Sequence, residues 1–145
     1  MTLKPLPLII ITGLTCLITS CTTYYIPVDS FKQQLLNQGN TKLKTVTTQD
    51  PWGHKKTYDT YSIDSVKCVD KAGNPFMLKN SPSLEIRFTD NNNKKTIFYF
   101  DRITVTQDSI TGLRSRILSI TKTIPFNTIK TIEIQDGQKN YSYKE

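Results

Sequence analysis

From residue 43 onward the apolar positions recur with a period of two. Leu84, Ile86 and Phe88 alternate with Glu85, Arg87 and Thr89, the pattern of a strand with one buried face. Asp90-Asn91-Asn92-Asn93-Lys94 is a turn run. Ile97 to Phe100 is apolar on both faces, which predicts a strand that is central or covered by the helix. Ile103 and Val105 continue the phase of Ile97 and Tyr99 and put Asp101 on the same face, so a bulge or an edge is expected at Asp101-Arg102. A turn near Gln107-Asp108 precedes a strand through Ile110 and Leu113, in which Gly112 marks a bend or a close backbone approach. Further along, KTIPFNTIKTIEIQDG (122–137) ends a strand at Ile124 and places Pro125, which cannot donate to a ladder, at the break. Phe126 to Ile129 then fits a single tight turn, and Ile132 and Ile134 alternate with Thr131, Glu133 and Gln135 before the Asp136-Gly137 turn signal. The remaining strands are expected at 43–48, 58–69 and 76–79, with Asp70 to Asn74 as the turn between the last two. The tail YSYKE reads as a last short strand or a frayed end.

Two segments near the N-terminus break this period. Ser30-Phe31-Lys32-Gln33 fits a capping box, Phe31, Leu35 and Leu36 lie near one helical face, and Gly39 suits a left-handed stop. One short helix over 30–38 is predicted. Leu6 to Ile18 is mostly apolar for about 13 residues, short of the roughly 20 that a spanning helix needs. Lys4 precedes this run and Thr19-Ser20 follows it, the layout of a cleaved leader.

A chain of 145 residues is one domain by size, and Ile and Thr abound in it. The expected class is all-β, a small barrel or curled antiparallel sheet with one short N-terminal helix after the leader. The expected division is a leader over 1–20, a tether over 21–29 and a β-rich domain over 30–145. Net charge is +7, and loss of Lys4 with the leader leaves +6.

Ile18-Thr19-Ser20-Cys21 resembles the bacterial lipobox, an aliphatic residue and two small ones before a cysteine. That resemblance implies a diacylglyceryl group on the Cys21 sulfur, cleavage before Cys21 and attachment to a membrane. The residues after Cys21 are Thr22, Thr23, Tyr24 and Tyr25, without the Asp of inner-membrane retention or an acidic surface-export cluster. By the same resemblance the expected place is the periplasmic face of the outer membrane. Strand, single 3₁₀ turn and strand across 122–137 is similar to the end of SH3-like and Sm-like small barrels, and to the C-terminal stretch of small Bacteroidota lipoproteins. Such barrels host unrelated functions, so this likeness carries no catalytic residue.

Candidate chemistry is sparse. His54 is the only histidine and sits in Asp50-Pro51-Trp52-Gly53-His54-Lys55-Lys56, a turn-like loop. Trp52, His54 and Tyr58 form the candidate ligand or partner loop, because exposed loop aromatics often bind; the plain alternative folds Trp52 onto the domain. No cluster has the spacing of a metal site, and no metal or other cofactor is expected. Cys68 shares a strand face with Val66, while Lys67 points to the other, so burial is favoured over nucleophilic chemistry. If Cys21 is a thioether, Cys68 has no partner for a disulfide after cleavage. No nucleophile elbow or Gly-rich phosphate loop occurs, and no catalytic residue is assigned. The basic excess is spread along the chain, which fits anionic envelope material or an envelope protein better than nucleic acid. The leading expectation is a lipid-anchored, non-catalytic binding or structural module of the cell envelope. The alternatives are a periplasmic inhibitor of an envelope hydrolase and an unusual hydrolase using His54.

Overall fold

The computed structural model describes residues 22–36, 44–60 and 63–144. The leader and Cys21 lie outside them. In chain order the elements are β1 (Thr23–Tyr25), α1 (Val28–Leu36), β2 (Lys44–Gln49), β3 (Lys55–Thr60), β4 (Ser65–Val69), β5 (Pro75–Lys79), β6 (Leu84–Asp90), β7 (Lys95–Tyr99), β8 (Ile103–Val105), β9 (Ser109–Ser115), β10 (Ile120–Pro125), β11 (Ile129–Asp136) and β12 (Ser142–Lys144). Single 3₁₀ turns, Phe100–Arg102 and Phe126–Thr128, join β7 to β8 and β10 to β11. The described strands form three antiparallel sheets, ordered β5-β4-β1-β11-β6-β7, β10-β9-β8 and β12-β2-β3. Among the described residues the class is all-β with one short helix, as expected.

The centre of the six-stranded sheet follows from alternation. Phe88 faces Ile132 and Ile86 faces Ile134 across β6 and β11, and Ile86 faces Phe98 on β7; all five side chains are buried. Such cross-strand apolar pairs are the unit of sheet stabilisation. Helix α1 adds Phe31 and Leu35, one turn apart on one face and both buried. The Phe31 ring meets Phe88 edge-on at 5.7 Å and tilts against Phe126 at 6.4 Å.

The helix starts at Val28, two residues before the expected cap. The amide of Phe31 already donates to Pro27 O (2.9 Å), and Ser30 lies inside the helix, its hydroxyl accepting from Gln34 Nε2 (3.1 Å). The capping box is therefore not formed. Gln34 instead reaches β4, donating to Lys67 O (3.1 Å) and accepting from Lys67 N (2.8 Å). Strand β1 pairs with β4 only at Tyr25 and Val69, so this side-chain amide continues the ladder where β1 has turned away. Nine residues of helix would not hold in isolation, and the buried face and this clamp fix it. The expected tether is also structured: from Thr23 the chain is already in the central sheet.

Two strand expectations are corrected. The segment 58–69 is not one strand: β3 ends at Thr60 opposite Lys44, and β4 begins at Ser65 opposite Lys79, in different sheets. β7 is an edge strand rather than a central one, and Ile97 is 39% exposed. The 3₁₀ turn at 100–102 shifts the phase by one residue, so Phe98 is buried before it, Phe100 at its start, and Ile103 and Val105 after it. The irregularity expected at Asp101 is present as this turn. Gly112 is a close approach, as expected: a Cβ there would lie 2.3 Å from Cγ and Cδ2 of Phe98.

Candidate functional site

Three hairpin turns in the chain are built alike. Asp50, Asp70 and Asp90 each accept at Oδ1 from the amides two and four residues on, at 2.8–2.9 Å. In each, the aspartate amide donates to the carbonyl four residues ahead, and the fourth residue takes a positive φ: Gly53 (88°), Gly73 (87°) and Asn93 (61°). Asn tolerates that left-handed region because its short polar side chain bonds locally. The third position carries Trp52 in one turn, and Ala72 and Asn92 in the others. Trp52 is 79% exposed, so the turn holds a large aromatic ring out in solvent. His54 Nδ1 lies 2.9 Å from Asp50 Oδ2; desolvation raises the Asp50 carboxyl, but the hydrogen bonds from His54 and Trp52 with the His54 charge together bring it below its usual range.

The facing tip comes from the turn between β9 and β10. Ile117 and Leu118 stand at its crest, 89% and 69% exposed, and Ser119 closes it with a φ of 51°. Leu118 N donates to Ser115 Oγ (3.1 Å). Trp52, His54, Lys56, Ile117 and Tyr141 line one cleft of about 120 Å³ between the two tips, with Arg116 at its floor. Lys56 Nζ donates to Arg116 O (3.0 Å) and ties the turns together. Large apolar side chains grouped on a surface mark a contact site more often than isolated ones do.

Under the cleft lies a buried polar cluster. Asp101 is 2% exposed and Arg116 8%. Arg116 Nη2 donates to Asp101 Oδ1 (3.1 Å) and to Pro82 O (2.5 Å). The Arg116 guanidinium stacks on the Tyr99 ring at 4.1 Å and approaches Tyr141 at 4.9 Å. Tyr58 donates its hydroxyl to Asp101 Oδ2, and Arg102 lies over the Tyr58 ring. Burial raises the Asp101 carboxyl, opposed by Arg116 and by the Tyr58 hydrogen bond. Burial, with the Asp101 charge second, pushes the Tyr58 hydroxyl up to about 12. The same two causes raise Tyr143. This cluster pins the β2–β3–β12 sheet and the 115–119 turn onto the end of the main sheet.

A second concavity, about 580 Å³, lies at the other end of the β2–β3 hairpin. Lys44, Lys79 and Lys144 converge on it from three strands, with Asp64, Asn80 and Tyr143. Asn80 Oδ1 is buried there without a hydrogen-bond partner, while its Nδ2 donates to Ile63 O (2.9 Å).

The structure thus brings Trp52 and His54 to one cleft and turns Tyr58 inward, away from solvent and onto Asp101. Among the described residues the recorded hydrogen bonds of His54 run to Asp50 and no hydroxyl nucleophile is held against its ring. Cys68 is buried and free, its thiol raised by burial and donating to Phe76 O at 3.4 Å. No group of three or more metal-ligating side chains occurs among the described residues. Arg116, Ile117 and Leu118 are site residues that sequence reasoning missed. The legible signal was an apolar pair, Ile117-Leu118, inside a polar turn that follows Arg114 and Arg116. No family model, curated protein or solved structure matches this chain.

Proposed function

We propose that the protein is a non-catalytic binding module of a bacterial cell envelope, held to a membrane by a diacylglyceryl group on Cys21. The observation that carries the binding role is the display of Trp52, Ile117 and Leu118 on two tied turns. Exposing three large apolar side chains forgoes the stabilisation their burial contributes, about 1.5–3 kcal/mol each. A chain keeps such a patch where something else covers it. The polar groups beneath are engaged in holding the turns, so the chemistry of the site is contact rather than proton transfer. The anchoring role is supported by the Ile18-Thr19-Ser20-Cys21 resemblance and the apolar leader before it. Two acyl chains on one residue give stable attachment, because each buried methylene contributes about 0.8 kcal/mol. Cys21→Ala is expected to move the protein from the membrane to the soluble fraction on cell fractionation. A variant that sediments with membranes as the wild type does would remove the anchor from this reading.

A further inference from the structure

We propose that the 50–54 and 115–119 turns rest in the headgroup layer of the membrane that holds the anchor, with Trp52, Ile117 and Leu118 as the inserting side chains. This rests on the lipidation of Cys21 proposed above.

Reach comes first. Cys21 precedes Thr23, the first residue of β1, by two positions. Fully extended, two residues span at most about 7 Å. An acylated Cys21 therefore holds the sheet against the bilayer, with the end nearest Thr23 facing it.

Position follows from register. Thr23 pairs with Gln135, beside the end of β11 at Asp136. Asp136 pairs with Leu84, where β6 begins, and Pro82 just before it accepts from Arg116. Arg116 also stacks on Tyr99, at the matching end of β7. The turn carrying Ile117 and Leu118 is thus fixed at the end of the sheet from which the chain leaves toward Cys21. Lys56 binds Arg116 O, which places the Trp52 turn there too.

Chemistry selects the occupant. An indole prefers the headgroup level, where its ring is half apolar and its N–H still meets polar groups. Branched aliphatic residues beside it enter the acyl boundary. Lys55 and Arg114 flank the tips, exposed and in none of the ion pairs among the described residues, and suit anionic headgroups. The nearby carboxylates are engaged: Asp50 by His54 and two amides, and Glu85 by Lys139.

Trp52 is the only tryptophan in the chain, so its emission reports this site alone. The processed, acylated protein is reconstituted in vesicles of phosphatidylethanolamine with a minority of phosphatidylglycerol, with and without bromine on the acyl chains. Sedimentation first establishes that the protein is anchored. Bromine quenches at contact range, so an indole seated at the interface loses emission in the brominated vesicles and keeps it in the plain ones. Ile117→Asp/Leu118→Asp is expected to abolish most of that loss while the protein still sediments with the vesicles. Both positions are exposed, so the fold is kept, which circular dichroism checks. An anchored wild type whose Trp52 is untouched by bromine and open to aqueous iodide overturns the inference and leaves the patch to a protein partner. Wild type that fails to sediment overturns the anchor itself and the inference with it.

Discussion

Replacing Arg116 with Met isolates what holds the two turns in place. At 3.1 Å, the Asp101–Arg116 attraction is about 5 kcal/mol at an effective dielectric constant near 20. Desolvating two ions costs several kcal/mol each, so the net worth of the pair is far smaller. The variant does not measure that net worth. It leaves Asp101, 2% exposed, buried without its cation, and Pro82 O without its donor. Such truncations cost about 3–5 kcal/mol. For a domain of this size each kcal/mol moves the thermal midpoint by about 4 °C. Arg116→Met is therefore expected to lower the midpoint by about 15 °C, measured by far-ultraviolet circular dichroism with wild type and variant in the same detergent. Asp101→Leu in the same chain removes the stranded charge, so the double variant should be more stable than the sum of the single losses by about 2 kcal/mol. A midpoint within about 3 °C of wild type for Arg116→Met, or losses that simply add, would refute the account of a desolvated, mutually dependent pair.

Other expectations follow from the same geometry. Gly112→Ala puts a methyl group into the Phe98 ring and should cost about 2–3 kcal/mol, seen as a lower thermal midpoint and partly recovered by Phe98→Leu; an unchanged midpoint would contradict the packing of β9 on β7. Tyrosine in an unfolded chain ionises near pH 10, whereas burial beside Asp101 holds Tyr58 protonated to about 12. Between those values the unfolded state has lost the proton and the folded state keeps it, so stability is intact below pH 10 and falls as pH rises through the window. The thermal midpoint should drop across that range and drop less in Tyr58→Phe; equal slopes in the two proteins would count against the buried hydroxyl.

What the sequence disclosed depended on whether a residue acts through local pattern or through distant contact. Leu84 to Phe88 alternates because one face of β6 is buried and the other only half-buried. Pro125-Phe126 was legible because proline breaks a ladder by itself, and Gly112 because a missing side chain within a strand leaves room for a neighbour, here the Phe98 ring. Ile97 was misjudged because its exposure depends on β7 being an edge, which is a property of the sheet rather than of the strand. Ser30 matched a cap, but Pro27 had already accepted the first helical bond. Trp52 and His54 were found as a loop, and the turn chemistry of Asp50 explains why that loop is firm. Arg116 was invisible, since its partners Pro82, Tyr99 and Asp101 are far from it in sequence and only the folded sheet assembles them.

The lysine-lined concavity gains a meaning from where the hairpin ends. The six residues of β2 separate Lys44 from the 50–54 turn by about 20 Å, at 3.4 Å per residue. With the tips seated on a bilayer, Lys44 would stand more than two Debye lengths above it, with Lys79 lining the same concavity, since that length is about 8 Å at physiological salt. Their field would be lost to the headgroups below and directed at whatever diffuses through the compartment above. Seated in that way, the molecule would have a floor and a ceiling: a greasy underside for standing, and a lysine-lined bowl held aloft.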